Sequence, residues 1–156
     1  MKTYKVDVYD DGTKDWYLND KLHREDGPAI EDADGTKYWY LNGQRHREDG
    51  PAVEYIDGYK AWYLNDKLHR KDGPAIEDAG GGKAWYLNGE RHREDGPAID
   101  WADGSKYWFL NGEELTEAEF NARTKPTATC EGKAVEVDGV KYKLTKLWTR
   151  LYLVGL

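Results

Sequence analysis

The sequence repeats itself every 23 residues, and this period constrains the fold more than any other feature. Five tryptophans are separated by 23 residues without exception, and an asparagine follows each of them by three positions. A fixed period of this length is typical of an array in which each copy contacts mainly its neighbours. The array occupies residues 1–112, and its tryptophans are Trp16, Trp39, Trp62, Trp85 and Trp108.

Each copy contains two turn signals between short apolar segments. In the second copy, "GPAIEDADGTKYWYLNGQRHRED", Asp34 and Gly35 separate "AIEDA" from "TKYWYL", and Asn42 and Gly43 follow directly. Asp-Gly and Asn-Gly pairs supply the positive φ angles of two-residue hairpin turns, so each copy is predicted to run strand, turn, strand, turn. The fourth copy has Gly-Gly at the first turn, which keeps the same conformational freedom.

The aromatic strand of each copy predicts how the sheet is held together. Alternation along "TKYWYLN" predicts Lys37, Trp39 and Leu41 on one face and Tyr38 and Tyr40 on the other. Aromatic residues make up 13% of the sequence, so we expect large rings to supply most of the apolar burial. Stacked copies would align one ring per copy into a ladder with aromatic contacts across strands. The ladder positions are Tyr17, Tyr40, Tyr63, Tyr86 and Phe109.

The repeat pattern ends in the last third of the chain. Thr116 and Glu119 form a capping box, which predicts a short helix that begins at Glu117 and ends before the next proline. Downstream, "KAVEVDGVKYKL" predicts a further hairpin, and a segment of different sequence would cover the last edge of an open stack. The predicted organisation is therefore a five-repeat array over residues 1–112 and a short helix with a C-terminal β cap over residues 113–156.

The repeat resembles a known family. The 23-residue period, the glycine of each Asp-Gly turn, the aromatic strand and the passage "NG..HR..G" are similar to the membrane occupation and recognition nexus (MORN) repeat, in the variant form of bacterial and phage proteins that includes an antitoxin-like family. The resemblance covers residues 4–112. It implies a mainly β fold, an elongated stack of five β-hairpin repeats used for binding or scaffolding. "WYLNG" is also similar to the aromatic hairpins of choline-binding repeats.

Composition restricts the classes of partner and the cellular compartment that can be expected for this protein. The formal net charge is -7 at pH 7, which disfavours nucleic acid and anionic membranes as partners. A single cysteine, Cys130, excludes an internal disulfide framework and a thiolate-rich zinc site. No export signal and no membrane-spanning apolar run is present in the sequence. We therefore expect a protein of the cytoplasm of a bacterial cell or phage-infected host.

The passage "HREDGPA" occurs three times and "HRKDGPA" once, and it combines residue types that are common in active sites. In a regular stack, equivalent histidines lie about 9 to 10 Å apart because each strand adds about 4.8 Å, so they cannot share one metal ion. General acid-base catalysis needs a single asymmetric pocket, whereas this passage is repeated almost unchanged. We therefore predict no enzyme activity, cofactor or metal, and expect the arginine and the acids to pair within and between copies.

Departures from the repeat indicate a binding surface. The position of Asp32 holds Tyr55 in the third copy and Trp101 in the fifth, and exposed rings are common binding anchors. The leading hypothesis is a protein-binding repeat module, such as an antitoxin or a phage-encoded modulator of a host protein. The alternative is a small-ligand or glycan module whose aromatic ladder stacks on sugars or choline-type groups. The predicted partner-binding residues are Tyr55, Trp101, Tyr40, Tyr63, Tyr86, His46, Arg47, His69 and Arg70.

Overall fold

The structure is a computed structural model that describes residues 3–125, 134–137, 140–147 and 150–155. It divides into two compact units, Met1–Glu117 and Ala118–Leu156. The first unit holds the repeats, which are numbered one to five in the order of their tryptophans.

The first compact unit is built from short β-strands that alternate with turns. In chain order the strands are β1 (Lys5–Val8), β2 (Lys14–Leu18), β3 (Lys21–Leu22), β4 (Ile30–Glu31), β5 (Lys37–Tyr38), β6 (Tyr40–Leu41), β7 (Gln44–Arg45), β8 (Val53–Glu54), β9 (Lys60–Ala61), β10 (Tyr63–Leu64), β11 (Lys67–Leu68), β12 (Ile76–Glu77), β13 (Lys83–Ala84), β14 (Tyr86–Leu87), β15 (Glu90–Arg91), β16 (Ile99–Asp100), β17 (Lys106–Leu110) and β18 (Glu113–Leu115). Twelve of them form one antiparallel sheet in the order β1, β2, β4, β5, β8, β9, β12, β13, β16, β17 and β18, with β3 beside β2.

Each repeat contributes two antiparallel hairpins. In repeat two, β4 and β5 form the first hairpin, in which Ile30 lies opposite Tyr38. Strand β5 also pairs with β8 of repeat three, so the first hairpins of successive repeats join into the long sheet. The second hairpin consists of β6 and β7 and places Tyr40 opposite Arg45. The predicted fold class, a mainly β stack of hairpin repeats with one short helix, is confirmed.

The two turns of a repeat differ in length. The Asn-Gly turn has two residues as predicted, with φ angles of 54° at Asn42 and 84° at Gly43. The prediction of a two-residue Asp-Gly turn is wrong, because only Gly35 has a positive φ, of 94°. The Asp32 N–H donates to the Thr36 carbonyl and the Gly35 N–H donates to the Asp32 carbonyl, both over 2.9 Å. The result is a three-residue loop with glycine in the left-handed position.

The predicted continuous strand through the tryptophan is found only in repeats one and five. In repeats two, three and four the strand stops one residue before the tryptophan and a new strand begins one residue after it. The Trp39 N–H donates to the Ala52 carbonyl of the next repeat over 2.8 Å rather than to its own hairpin. Tyr38 and Tyr40 therefore belong to different sheets, and the simple alternation predicted for this segment does not hold there.

Alanine, rather than a large ring, fills the most buried positions of the repeats. The alanine of each "GPA" passage is 0% exposed. Ala52 shows why, because its N–H donates to the Ala61 carbonyl while its own carbonyl accepts from Trp39, so backbone from two neighbours closes around it. The expectation that large rings supply most of the apolar burial stays a prediction, because the five tryptophans of the repeats are half-buried. The four alanines are Ala29, Ala52, Ala75 and Ala98.

The second compact unit follows the predicted order of elements. Helix α1 (Glu117–Thr124) begins at the predicted residue and ends before Pro126. Strands β19 (Ala134–Val137), β20 (Val140–Leu147) and β21 (Arg150–Gly155) form a three-stranded antiparallel sheet. The hairpin of β19 and β20 was predicted, although its turn at Asp138 and Gly139 lies outside the described residues, as does Cys130. The capping role of residues 113–156 stays a prediction.

A larger side chain at the "GPA" alanine should destabilise the repeats. We expect Ala75→Leu to lower the free energy of unfolding by roughly 1–3 kcal/mol, because the backbone enclosing Ala75 leaves no room for added atoms. Ala79→Leu is the control, since Ala79 lies exposed in a loop of the same repeat. Urea unfolding followed by tryptophan fluorescence measures both. Equal stability of the two variants would contradict this account of the core.

Ionisation of Tyr17 should lower the free energy of unfolding at alkaline pH. Burial, followed by a hydrogen bond of 3.1 Å from its hydroxyl to Asp15, raises the pKa of Tyr17 to about 12. An unfolded tyrosine has a pKa near 10, so this contribution is complete below pH 10 and is lost as pH rises through 12. We expect Tyr17→Phe to lose less stability between pH 10 and 12 than wild type in urea unfolding. An identical pH slope would contradict the assignment.

Candidate functional site

The three-residue loops of all five repeats lie along one edge of the long sheet, here called the turn edge. Each loop joins two adjacent antiparallel strands, and an N–H to carbonyl hydrogen bond of 2.8–3.0 Å closes it in every repeat. Because the same loop recurs after every second strand, the residues that directly precede the loops occupy equivalent positions. They are Tyr9, Asp32, Tyr55, Asp78 and Trp101.

Every second repeat places an aromatic ring on the turn edge. Tyr9, Tyr55 and Trp101 are 48%, 41% and 40% exposed, and the repeats between them carry Asp32 and Asp78. Two repeats add four strands, so successive rings are about 19 Å apart at about 4.8 Å per strand. The turn edge therefore presents a row of regularly spaced rings that alternate with carboxylates.

The exposed rings are supported from below. Tyr55 contacts Tyr59, with ring centroids 5.0 Å apart, and Tyr38, with centroids 6.0 Å apart. Trp101 lies against Gly82, where a Cβ atom would come within 2.5 Å of the Trp101 ring. Tyr55 and Trp101 are thus each held by a neighbour while about 40% of the residue stays exposed, so that little side-chain freedom remains to be lost on binding.

The carboxyl groups of the turn edge are not equivalent. The pKa of Asp32 is raised, first by burial and then by the nearby Asp34 and Asp15 carboxylates. The pKa of Asp103 is lowered because the Ser105 N–H donates to it over 2.8 Å. The same loop geometry thus produces both a carboxyl that resists ionisation and one that is held ionised.

The predicted ring ladder is organised around arginine. The Arg45 guanidinium lies 4.0 Å from the centroid of the Tyr63 ring, and the Arg91 guanidinium lies 5.1 Å from the Phe109 ring. Arg91 also donates to the Tyr86 hydroxyl over 3.2 Å. Burial raises the pKa of Tyr40. Tyr40, Tyr63 and Tyr86 are half-buried in the second hairpins, where their contacts hold the repeats together.

Four loops that begin at the "HR" pair lie at the other ends of the same strands. We call them HR loops one to four, residues 23–28, 46–51, 69–74 and 92–97. In HR loop two, the Arg47 guanidinium lies 4.1 Å from the Trp39 ring centroid. It also donates to Asp49 over 2.9 Å, to Glu54 over 3.0 Å and to the Pro51 carbonyl over 3.2 Å. Equivalent stacks on tryptophan are formed by Arg24, Arg70 and Arg93.

This arginine explains most of the "HREDGPA" passage. A Cβ atom on Gly50 would lie 2.8 Å from the Arg47 Cζ atom, so glycine is needed for the side chain to pass. The aspartate, the proline carbonyl and the strand glutamate are its hydrogen-bond partners, and the buried alanine follows. The expectation that arginine and acids pair within these loops is confirmed. The Glu48 side chain is 86% exposed. This exposure is consistent with the presence of Lys71 at the equivalent position of HR loop three.

The histidine of each HR loop joins one repeat to the next. His23 Nδ1 accepts the Asn42 N–H over 3.0 Å, and His69 and Asn88 do the same over 3.1 Å. The other ring nitrogen of His23, Nε2, faces Glu25 at 3.6 Å. His46 Nδ1 lies 2.8 Å from the Asn65 side-chain oxygen. The asparagine is the positive-φ residue of its turn, so each histidine fixes the turn of the following repeat.

Successive HR loops enclose grooves that sequence reasoning did not anticipate. Groove A lies between HR loops one and two and has a volume of about 590 Å³. Groove B lies between loops two and three, with about 420 Å³, and groove C lies between loops three and four, with about 700 Å³. A tryptophan and a leucine from one repeat line each groove, as Trp39 and Leu41 do in groove A.

The structure separates the nine predicted binding residues into three places. Tyr55 and Trp101 lie on the turn edge, and three tyrosines lie in the second hairpins. His46, Arg47, His69 and Arg70 lie in the HR loops, where they bind other parts of the array. Tyr9 was missed, although it stands 23 residues before Asp32 and therefore in the same register as Tyr55.

Comparisons with known proteins leave the family open. No protein-family model matches the sequence, and no curated protein matches it. Within the described residues, no three His, Cys, Asp or Glu side chains are arranged to hold a metal ion. No helix in that part of the chain is long and apolar enough to cross a membrane.

Shortening the stacked arginine should weaken the fold. We expect Arg47→Lys to lower the free energy of unfolding by about 1–2 kcal/mol, because an ammonium cannot stack as a plane on Trp39 while donating to Asp49 and Glu54. Lys71→Glu, which restores the sequence of the other HR loops, should change it by less than about 0.5 kcal/mol. Thermal unfolding by circular dichroism compares them. A larger loss in Lys71→Glu would contradict this account.

Proposed function

We propose that the protein is a non-enzymatic repeat module that binds another protein through its turn edge. The observation that carries the proposal is the alternation of exposed rings, Tyr9, Tyr55 and Trp101, in the same register of every second repeat. Exposed aromatic anchors that are held by their neighbours are typical of the centres of protein interfaces. The half-buried tyrosines of the second hairpins serve the stack instead.

The spacing of the rings favours a macromolecular partner. Rings about 19 Å apart cannot be bridged by one sugar residue or one choline-sized group, whereas a protein surface spans two or three of them. Protein interfaces of ordinary size bury about 800 Å² on each partner, and this area extends over several repeats. The carboxylates between the rings would then select partners whose facing surface is polar or basic.

The proposal includes the roles and the location suggested by the sequence. The resemblance to variant MORN repeats supports an antitoxin or a phage-encoded modulator of a host protein as the biological role. It also supports the cytoplasm of a bacterial cell or a phage-infected host as the compartment. The net charge of -7 supports a protein partner rather than nucleic acid or an anionic membrane. No cofactor takes part in this function.

A small-ligand or glycan module is the second candidate function. It is favoured by the cluster of Tyr38, Tyr55 and Tyr59, whose rings lie within 6.0 Å of a neighbour. The adjacent Ile56 is 72% exposed. Sugars and quaternary ammonium groups bind against such rings. A response of tryptophan fluorescence to choline or cell-wall fragments, lost in Tyr55→Ala, would favour this function, and no response would remove it.

Removing two rings from the turn edge tests the main proposal. Immobilised wild-type protein should retain one dominant protein from lysate of the native host, and Tyr55→Ala/Trp101→Ala should retain at least about tenfold less of it. The loss is expected because both anchors are removed while the residues beneath them stay. Quantitative mass spectrometry of the retained proteins measures the ratio.

The control removes a ring of equal exposure from another register. Tyr107 is 42% exposed and occupies a position at which Ala61 and Ala84 stand in repeats three and four, so Tyr107→Ala should keep both fold and retention. All three proteins are compared in urea unfolding before the binding experiment. Equal retention by the double variant and wild type, with both folded, would refute the turn edge as the binding surface.

A further inference from the structure

The grooves between HR loops combine an apolar lining with exposed acidic rims. In groove A, Trp39 and Leu41 supply the apolar surface. The side chains of Asp26, Glu48 and Asp49 on its rims are each more than 80% exposed. A groove of this kind can contact the apolar part of a ligand along its lining and a positively charged group at its rims.

The arginines of the rims do not cancel this charge toward the solvent. Arg24 and Arg47 are mostly buried, stack on tryptophan and direct their N–H groups into their own loops and strands. Their pairing also lowers the pKa of Asp49, so this carboxylate stays ionised in mildly acidic solution. The exposed outer layer of groove A therefore consists of carboxylates, with the cations beneath them.

One residue distinguishes groove A from its neighbours. Two arginines and four carboxylates line groove A, whereas three cations and three carboxylates line groove B and also groove C. The difference is Lys71, which belongs to HR loop three and therefore contributes to both of the balanced grooves. The array thus has three similar grooves, of which the first carries excess negative charge.

We propose that groove A binds a lysine- or arginine-bearing segment of a partner protein. The long methylene stem of such a side chain matches the surface of Trp39 and Leu41, while its cationic head reaches the rim carboxylates. The charge complementarity selects a basic peptide segment over an acidic or neutral one. This surface lies at the ends of the strands away from the turn edge, so the proposal stands independently of the function proposed above.

Binding of a fluorescein-labelled hexalysine peptide to the full-length protein tests the proposal by fluorescence anisotropy at low and high salt. Wild type should bind, and binding should weaken strongly as the salt rises. Glu48→Lys should bind about tenfold more weakly, because it reverses a rim charge that groove A shares with groove B. Lys71→Glu should bind about fivefold more tightly, because it gives grooves B and C the charge of groove A.

The matched control is Glu114→Lys, which makes the same change in net charge at an exposed position outside the grooves and should stay within about twofold of wild type. Glu48→Gln, with a smaller loss, covers the case in which Glu48→Lys fails to fold. Equal weakening by Glu48→Lys and Glu114→Lys would overturn the proposal. Spermine binding as tightly as the peptide, with the same dependence on Glu48, would overturn the assignment to a protein segment.

Discussion

The array depends on an arginine that lies over a tryptophan ring in each of four repeats. The guanidinium to ring distances fall between 3.9 and 4.1 Å, and in each case the arginine also donates to a proline carbonyl four residues later. A two-stranded hairpin alone is marginal in water. The stacked arginine adds a charge-assisted hydrogen-bond network that ties the tryptophan, the loop and the next strand into one element.

The repeats are linked to each other mainly through backbone and histidine. Trp39 donates to Ala52, Arg24 donates to the Tyr40 carbonyl, and His23 accepts the Asn42 N–H. Each of these bonds joins one repeat to the next, and each recurs along the array in the same register. Stability in such an array is the sum of repeat and neighbour terms, so the small buried alanine matters because it permits the close approach of two repeats.

The sequence allowed the period, the strands, the short helix and the need for glycine to be predicted, because these features depend on local conformation. The contacts of the Arg47 side chain could not be predicted from the local sequence pattern. Its stacking partner Trp39 precedes it by eight residues, and Glu54 follows it by seven. The predicted alternation of side chains along the aromatic strand failed for a different reason. Alternation along "YWY" assumes a continuous strand, and in repeats two, three and four the strand ends one residue before the tryptophan.

In the candidate site, too, some features could be predicted from the local sequence and others only from the spatial arrangement of the repeats. Tyr55 and Trp101 were predicted as binding residues because they depart from the repeat. The residues of the HR loops recur, and their residue types resemble those of an active site. In the structure, the recurring arginines and histidines hold the array together, whereas the departing rings Tyr55 and Trp101 are exposed. Tyr9 and Lys71 are two further departures from the repeat, and they become apparent only when all five repeats are placed in one register. A regular lattice gives every repeat the same contacts, so selectivity for a partner has to come from positions that break the regularity. The alternation of ring and carboxylate on the turn edge, and the single lysine among the acidic HR loops, are two such breaks at opposite ends of the same strands.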